Sequence, residues 1–272
     1  MKNKSVPSKV YDKQYYLTIN DGGALGKQNN SLSPRLAYML KKANVRKNDV
    51  VLDVGCGTGE LCFAAAKKAK MIVGIDYSSD AIKMCNKKKE SARERSKIIF
   101  IKGDATKIRL KHKFTVVFMT DVVEHLYPAQ LSKLFDDLKP ILAKNAKIYI
   151  HTAPNLEFYR YGYPVIRFCY PLLRHISSVR KVIETKHNWR GKKHLPKDPE
   201  QGSHNKIGHV NEQTPQALRE FLKNHGYNSE IYTLPFLREP IDTTTRIAYI
   251  VLSLPILKKM FNAEIVAVAT VK

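Results

Sequence analysis

Apolar residues in this chain come in short runs, broken only by Asp53, Gly74 and Thr115: Val50–Val54, Met71–Ile75, Ile98–Ile101, Phe114–Met119 and Ile148–Ile150. A continuous run bounded by glycine or polar residues predicts a strand buried on both faces, as parallel sheets require. Between the runs the spacing changes to a helical one. Leu36, Met39 and Leu40 recur at helical intervals after Ser33-Pro34, so a helix is expected over Ser33–Ala43 with Ser33 as N-cap and Pro34 at its first position. Further helices are expected from Leu61, over Asp80–Lys89, up to Pro140, and after Thr214-Pro215, where Leu218, Phe221 and Leu222 form a stripe that Gly226 ends. Ser229–Pro235 and Glu264–Val271 read as the last two strands. Strands alternating with helices predict an α/β fold.

Two stretches depart from this rhythm. The first, about residues 155–205, starts with an aromatic and apolar part from Phe158 to Leu173 and continues with eight Lys/Arg against the single acid Glu184 between Arg174 and Lys197. It is expected to form a helical cap with a basic loop. The second is the apolar run from Ile247 to Phe261, interrupted by Pro255, Lys258 and Lys259. Its uncharged part is far shorter than the roughly 20 residues a membrane span needs, so it reads as a packing or interfacial helix.

Composition narrows the partners. The chain of 272 residues is 43% hydrophobic, which supports a full core, and carries a formal net charge of +23. That balance favours an anionic partner: nucleic acid, an acidic membrane surface or a phosphorylated substrate. The four cysteines, Cys56, Cys62, Cys85 and Cys169, contain no C-x-x-C pair, so neither a metal site nor a disulfide framework is expected. Met1-Lys2-Asn3-Lys4 leads into polar sequence with no apolar leader, and the expected location is cytoplasmic, with peripheral membrane attachment as an extension.

The chemistry gathers where the predicted strands end. Asp53-Val54-Gly55-Cys56-Gly57-Thr58-Gly59-Glu60 turns from the first strand into a helix, and three glycines at every second position let a ligand lie against the backbone. Glu60 stands where a dinucleotide fingerprint needs its third glycine, and no Gly-Lys-Ser/Thr closes a P-loop. Asp76 ends the second strand 21 residues after Gly55, where a carboxylate can accept both hydroxyls of a ribose, and Tyr77 offers a flat face for a base. Asp104 and the Ala105 backbone N–H, after the third strand, can read an adenine edge. Thr120 ends the fourth strand at the sheet's carboxyl edge, where ligands bind in open α/β sheets. His125, in the Asp121-Val122-Val123-Glu124-His125-Leu126 segment expected to open a helix, is a candidate general base or acceptor-orienting residue. His151, at the end of the fifth strand, is a second candidate.

The Asp53–Gly59 motif resembles motif I of class I S-adenosylmethionine (SAM) dependent methyltransferases. Gly103-Asp104-Ala105 resembles their adenine-binding motif, and D-V-V-E-H-L is similar to the segment after strand four in relatives of the ubiquinone-pathway O-methyltransferases. The resemblance is strong over about residues 50–155 and looser over 205–272. It implies one Rossmann-like domain over residues 1–272, sheet order 3-2-1-4-5-7-6, an N-terminal lid over residues 1–32 and the insertion cap after strand five. It also implies SAM as cofactor, with Asp53, Gly55, Cys56, Gly57, Gly59, Asp76, Tyr77, Asp104, Ala105 and Thr120 around it. The implied reaction is methyl transfer to an oxygen, less readily a nitrogen, of a small-molecule, glycan or lipid-linked acceptor.

Three other readings compete. The basic insertion fits an RNA methyltransferase, but Thr120-Asp121-Val122-Val123 stands where base-amino methylation would place an N-P-P-Y type signature. A non-catalytic SAM-fold binding protein would not need the intact motifs around Gly55, Asp76 and Asp104. A dehydrogenase is disfavoured by Glu60.

Overall fold

The computed structural model describes residues 5–16, 32–107, 109–187, 191–201, 205–235 and 242–272. Most of the expected lid over residues 1–32 lies outside them. Among the described residues the strands are β1 (Val50–Val54), β2 (Met71–Asp76), β3 (Ile98–Lys102), β4 (Phe114–Thr120), β5 (Leu142–Thr152), β6 (Tyr227–Pro235) and β7 (Asn262–Val271). They form one sheet in the order 3-2-1-4-5-7-6. β1 pairs in parallel with both β2 and β4, so the strand order reverses around β1. β7 runs antiparallel to its neighbours β5 and β6.

Alternate side chains of each strand feed two cores. Leu52, Val54, Val117, Met119, Ile148 and Ile150 face one side, where α4 (Pro128–Leu138) and α8 (Pro215–Asn224) pack. Val51, Ile72, Val116, Phe118 and Tyr149 face the other, against α1 (Pro34–Ala43), α2 (Glu60–Ala66) and α3 (Ser79–Glu90). The helix starts follow local chemistry. Ser78 Oγ accepts the Ala81 N–H at 3.2 Å and caps α3, and Thr214 Oγ1 accepts the Ala217 N–H at 3.0 Å and caps α8. Ser33 precedes α1 as expected but makes no side-chain cap bond.

Two expectations change. Asp121–Leu126 does not open an α-helix: Val123–His125 is a single 3-10 turn, and the α-helix starts only at Pro128. The apolar run Ile247–Phe261 is two helices, α9 (Thr243–Leu252) and α10 (Pro255–Phe261), parted where Pro255 cannot continue the first. They lie between β6 and β7, and they complete the cap. Phe158, Tyr163, Ile166, Tyr170 and Ile183 of the insertion share a third core with Phe261 and Ala263, with Leu252, Leu257 and Met260 packed against it. The insertion's own helices are α5 (Tyr163–Leu173) and α6 (Ser177–His187), and a short helix, α7 (Asn205–Gly208), returns the chain to the sheet. Gly162 permits this junction, because a Cβ there would sit 2.3 Å from the Met260 carbonyl oxygen.

Candidate active site

All three glycines of the turn are left-handed. Gly55, Gly57 and Gly59 have φ of 69°, 51° and 81°, values that side-chain-bearing residues rarely adopt. The Ile75 carbonyl accepts the N–H groups of both Gly55 (2.8 Å) and Cys56 (3.0 Å), tying the turn to β2. At Gly59 a Cβ would also meet Phe100 Cζ at 2.9 Å. At Gly57 it would meet only Tyr16 Cε1 at 3.5 Å, so this face is roofed by the N-terminal tyrosine and not by the sheet.

Asp76 stands beside that face. Its Oδ2 accepts the Gly57 N–H at 2.8 Å, and its Oδ1 accepts the Ser78 N–H at 2.8 Å and the Tyr16 hydroxyl at 3.4 Å. Burial raises its pKa, and the Ser78 and Gly57 N–H bonds only partly offset that. Asp104, half-buried after β3, uses Oδ1 for both the N–H and the hydroxyl of Thr106, each at 2.8 Å. Ala105 follows it, half-buried, and Tyr77 is 41% exposed beside Asp76. Thr120 Oγ1 is buried with no partner among the described residues, an orphaned hydroxyl at the end of β4.

Asp53 and Cys56 lie on the packed side of the turn. Asp53 is 2% exposed, and the Cys62 thiol donates to its Oδ2 at 3.2 Å. Burial with so weak a donor pushes its pKa up to about 7. The Cys56 and Cys62 sulfurs crowd Gly74, where a Cβ would fall 3.0 Å and 2.8 Å from them. Both Asp53 and Cys56 brace the turn, and Cys56 turns its side chain inward.

The second half of the site begins at Asp121, whose φ of 56° turns the chain sharply out of β4. Its Oδ1 lies 2.5 Å from His151 Nδ1 and its Oδ2 2.8 Å from Arg35 Nε, while His151 Nε2 lies 2.8 Å from Glu264 Oε2. Burial alone would raise the Asp121 pKa, but Arg35 and His151 outweigh it and hold the carboxyl well below its usual range. His151 is 1% exposed with both ring nitrogens held by carboxylates. Both ring nitrogens are thus engaged, an arrangement that fixes the ring between Asp121 and Glu264.

His125 is placed differently. Its Nδ1 lies 3.0 Å from the Gly208 carbonyl oxygen and 3.1 Å from the Tyr11 hydroxyl. A carbonyl only accepts, so Nδ1 carries the proton and Nε2 keeps a lone pair. Burial and the neighbouring His209 lower the His125 pKa to about 4. The His209 ring centroid is 5.0 Å away, and its Nδ1 lies 2.6 Å from Glu200 Oε1. Burial works against the His209 imidazolium, but Glu200 outweighs it and raises the pKa. Glu124, 1% exposed, accepts the Thr152 hydroxyl at 2.8 Å. Burial and Asp121 push its pKa up to about 7. Its main-chain oxygen accepts the N–H groups of Val210 and Asn211, pinning the loop after α7 onto the 3-10 turn. Arg35, Glu200, Gly208 and Glu264 were not singled out by sequence reasoning. Arg35, Gly208 and Glu264 enter through contacts with residues more than eighty positions away, and Glu200 through its bond to His209.

Sheet order, switch point and glycine turn together define the class I methyltransferase fold. Residues 51–145 match the family model described as "Methyltransferase domain". Among its relatives, a protein of Saccharolobus solfataricus named "Probable cobalt-precorrin-6B C(15)-methyltransferase (decarboxylating)" is 33% identical over 88 residues, which is 30% of this chain and 44% of that protein. A protein-lysine N-methyltransferase of Saccharolobus islandicus is 32% identical over 108 residues, 38% of this chain and 63% of that protein. The chain thus spans less than two thirds of either. Among solved structures, the glycopeptide N-methyltransferase MtfA complexed with SAM superimposes with a TM-score of 0.53 at 13% identity, over 87% of each chain.

Proposed function

We propose that this protein is a SAM-dependent methyltransferase acting on an oxygen, less readily a nitrogen, of a small-molecule, glycan or lipid-linked acceptor. The observation that carries the reading is the Asp76 carboxylate held against a left-handed three-glycine turn. Each carboxylate oxygen has about two acceptor positions, so Oδ2, engaged once by Gly57, can take a ribose hydroxyl. Oδ1 can take the other by displacing the long Tyr16 contact. Asp104 Oδ2 and the Ala105 N–H would read the adenine, with Tyr77 beside it. Thr120 Oγ1, orphaned here, would gain a partner in the same ligand. The turn and the carboxylate therefore fit an adenosine-bearing ligand.

Bound there, SAM supplies a methyl group already activated by its sulfonium. This chain contributes alignment of the attacking atom. His125, in the 3-10 turn just after β4, is the residue that steers the acceptor.

The cap supports an amphiphilic acceptor. Tyr161, Val165, Phe168 and Leu172 form an exposed stripe at helical spacing, with Phe168 85% and Leu172 79% exposed. Ile247, Ile250, Val251 and Leu254 form another. Exposed Arg160, Arg167, Arg246, Lys258 and Lys259 border them and complement an anionic surface. No helix among the described residues is long and apolar enough to cross a membrane, so contact would be peripheral.

Calorimetry tests the cofactor. SAM and S-adenosylhomocysteine should bind and NAD should not. Asp76→Ala should weaken SAM by about 1.5–3 kcal/mol, the range for hydrogen bonds to charged groups. Unchanged affinity in that variant removes the ribose assignment. Salt-sensitive RNA binding with methyl uptake into RNA would replace the acceptor class.

A further inference from the structure

We propose that Glu124, His125 and His209 form a site for one divalent transition-metal ion, of the zinc, cobalt or manganese kind, beside the acceptor. One ligand atom from each residue lies within 4.8 Å of the others. The atoms bound to a single ion at bonds of about 2.0–2.1 Å lie at most about 4.2 Å apart, so a small closing of the side chains completes the set.

The surroundings are those of ligands and not of loose polar groups. His125 Nδ1 is held by the Gly208 carbonyl oxygen and His209 Nδ1 by Glu200, which leaves each Nε2 lone pair available. Metal-bound imidazoles commonly carry such a carbonyl or carboxylate partner on the other nitrogen, because it fixes the tautomer and the ring orientation. Thr152 orients Glu124 in the same way through Oε2. Gly208 lets the loop approach: a Cβ there would sit 3.0 Å from His125 Nδ1. A buried carboxylate beside two half-buried imidazoles is costly while charged, and a cation would neutralise it. Glu200, His209 and Glu212 also cluster within the same limit, but Glu200 is spent on His209 Nδ1 and serves as the orienting partner.

Two imidazoles and one carboxylate suit a transition metal over magnesium or calcium, which prefer oxygen ligands. Three protein ligands leave a coordination position open. Resting on the methyltransferase reading above, that position would hold the acceptor's oxygen next to the methyl group. The sequence showed no such site because its ligands lie in two segments more than eighty residues apart.

The test measures metal alone on the full chain after chelator treatment. Titration with Zn²⁺ should show one equivalent bound, and Co²⁺ should give visible d–d absorption bands. His209→Ala and Glu124→Gln should abolish both, with circular dichroism confirming that they fold. Glu200→Gln, which keeps all three ligands, should weaken the metal by about 10–100-fold. Asp76→Ala should weaken SAM binding and keep the metal, which separates this proposal from the cofactor reading. Absence of a stoichiometric ion, or binding unchanged in His209→Ala and Glu124→Gln, would overturn it.

Discussion

His151 Nδ1 lies 2.5 Å from Asp121 Oδ1, and its Nε2 lies 2.8 Å from Glu264 Oε2 on the antiparallel strand β7. One buried imidazole thus joins the chain turn after β4 to the strand inserted last. Removing it takes one partner from each of two carboxylates, and breaking a buried ionic contact from one side costs about 3–5 kcal/mol. His151→Ala should lower the unfolding free energy by that amount, read from denaturant titration. A catalytic base would behave differently, losing turnover with stability intact.

Asp53 predicts a pH dependence. Its folded-state pKa of about 7 lies above the ordinary aspartate value of about 3.9. The native state therefore holds that proton more tightly than the unfolded chain. Its contribution is fully present below about pH 4 and is lost as pH rises towards 7. Asp53→Asn removes the penalty while still accepting the Cys62 thiol. The variant should match the parent at pH 4 and exceed it by up to about 4 kcal/mol at pH 8. Equal unfolding free energies for the two proteins at both pH values would contradict the assignment.

Gly208→Ala should separate the two halves of the site. The added Cβ lies 3.0 Å from His125 Nδ1 and 3.2 Å from its Cε1, so the imidazole must rotate or the loop must lift. Overpacking of this kind costs about 1–3 kcal/mol. Turnover should fall while SAM affinity stays level, because Asp76 and the glycine turn are not touched. Calorimetry beside a single-turnover assay reads both. A matched loss in SAM binding would show that the halves are coupled.

The cap stripe carries the last prediction. Burying one Phe or Leu side chain contributes about 1.5–3 kcal/mol. Phe168→Ser with Leu172→Ser should therefore weaken sedimentation with anionic vesicles by more than about tenfold, and binding to neutral vesicles should be weak from the start. Vesicle binding indifferent to the pair would remove the peripheral-membrane reading of this surface.

Local pattern alone was enough for much of the sheet. Continuous apolar runs can be buried only between two helix layers, so strands β1 to β4 stand where the pattern predicts them, and Phe114–Thr120 has the expected ends. The glycine turn and Asp76 were legible for the same reason. Their relation depends on the fixed reach of one strand–helix–strand unit, and it ends in the 2.8 Å bond from Gly57 N–H to Asp76.

Long-range packing decided the rest. A histidine at a strand end is the same residue whether it faces an acceptor or two carboxylates, and only the arrival of β7 brings Glu264 to His151 Nε2. His125 and His209 meet because the Val210 and Asn211 N–H groups dock on the Glu124 carbonyl oxygen, a contact with no periodic signature. The cap likewise joins helices from before α8 and after β6 through one shared core. Amphipathic spacing tells which face of a helix is buried. What buries it depends on segments far along the chain, and their approach is settled by tertiary packing alone.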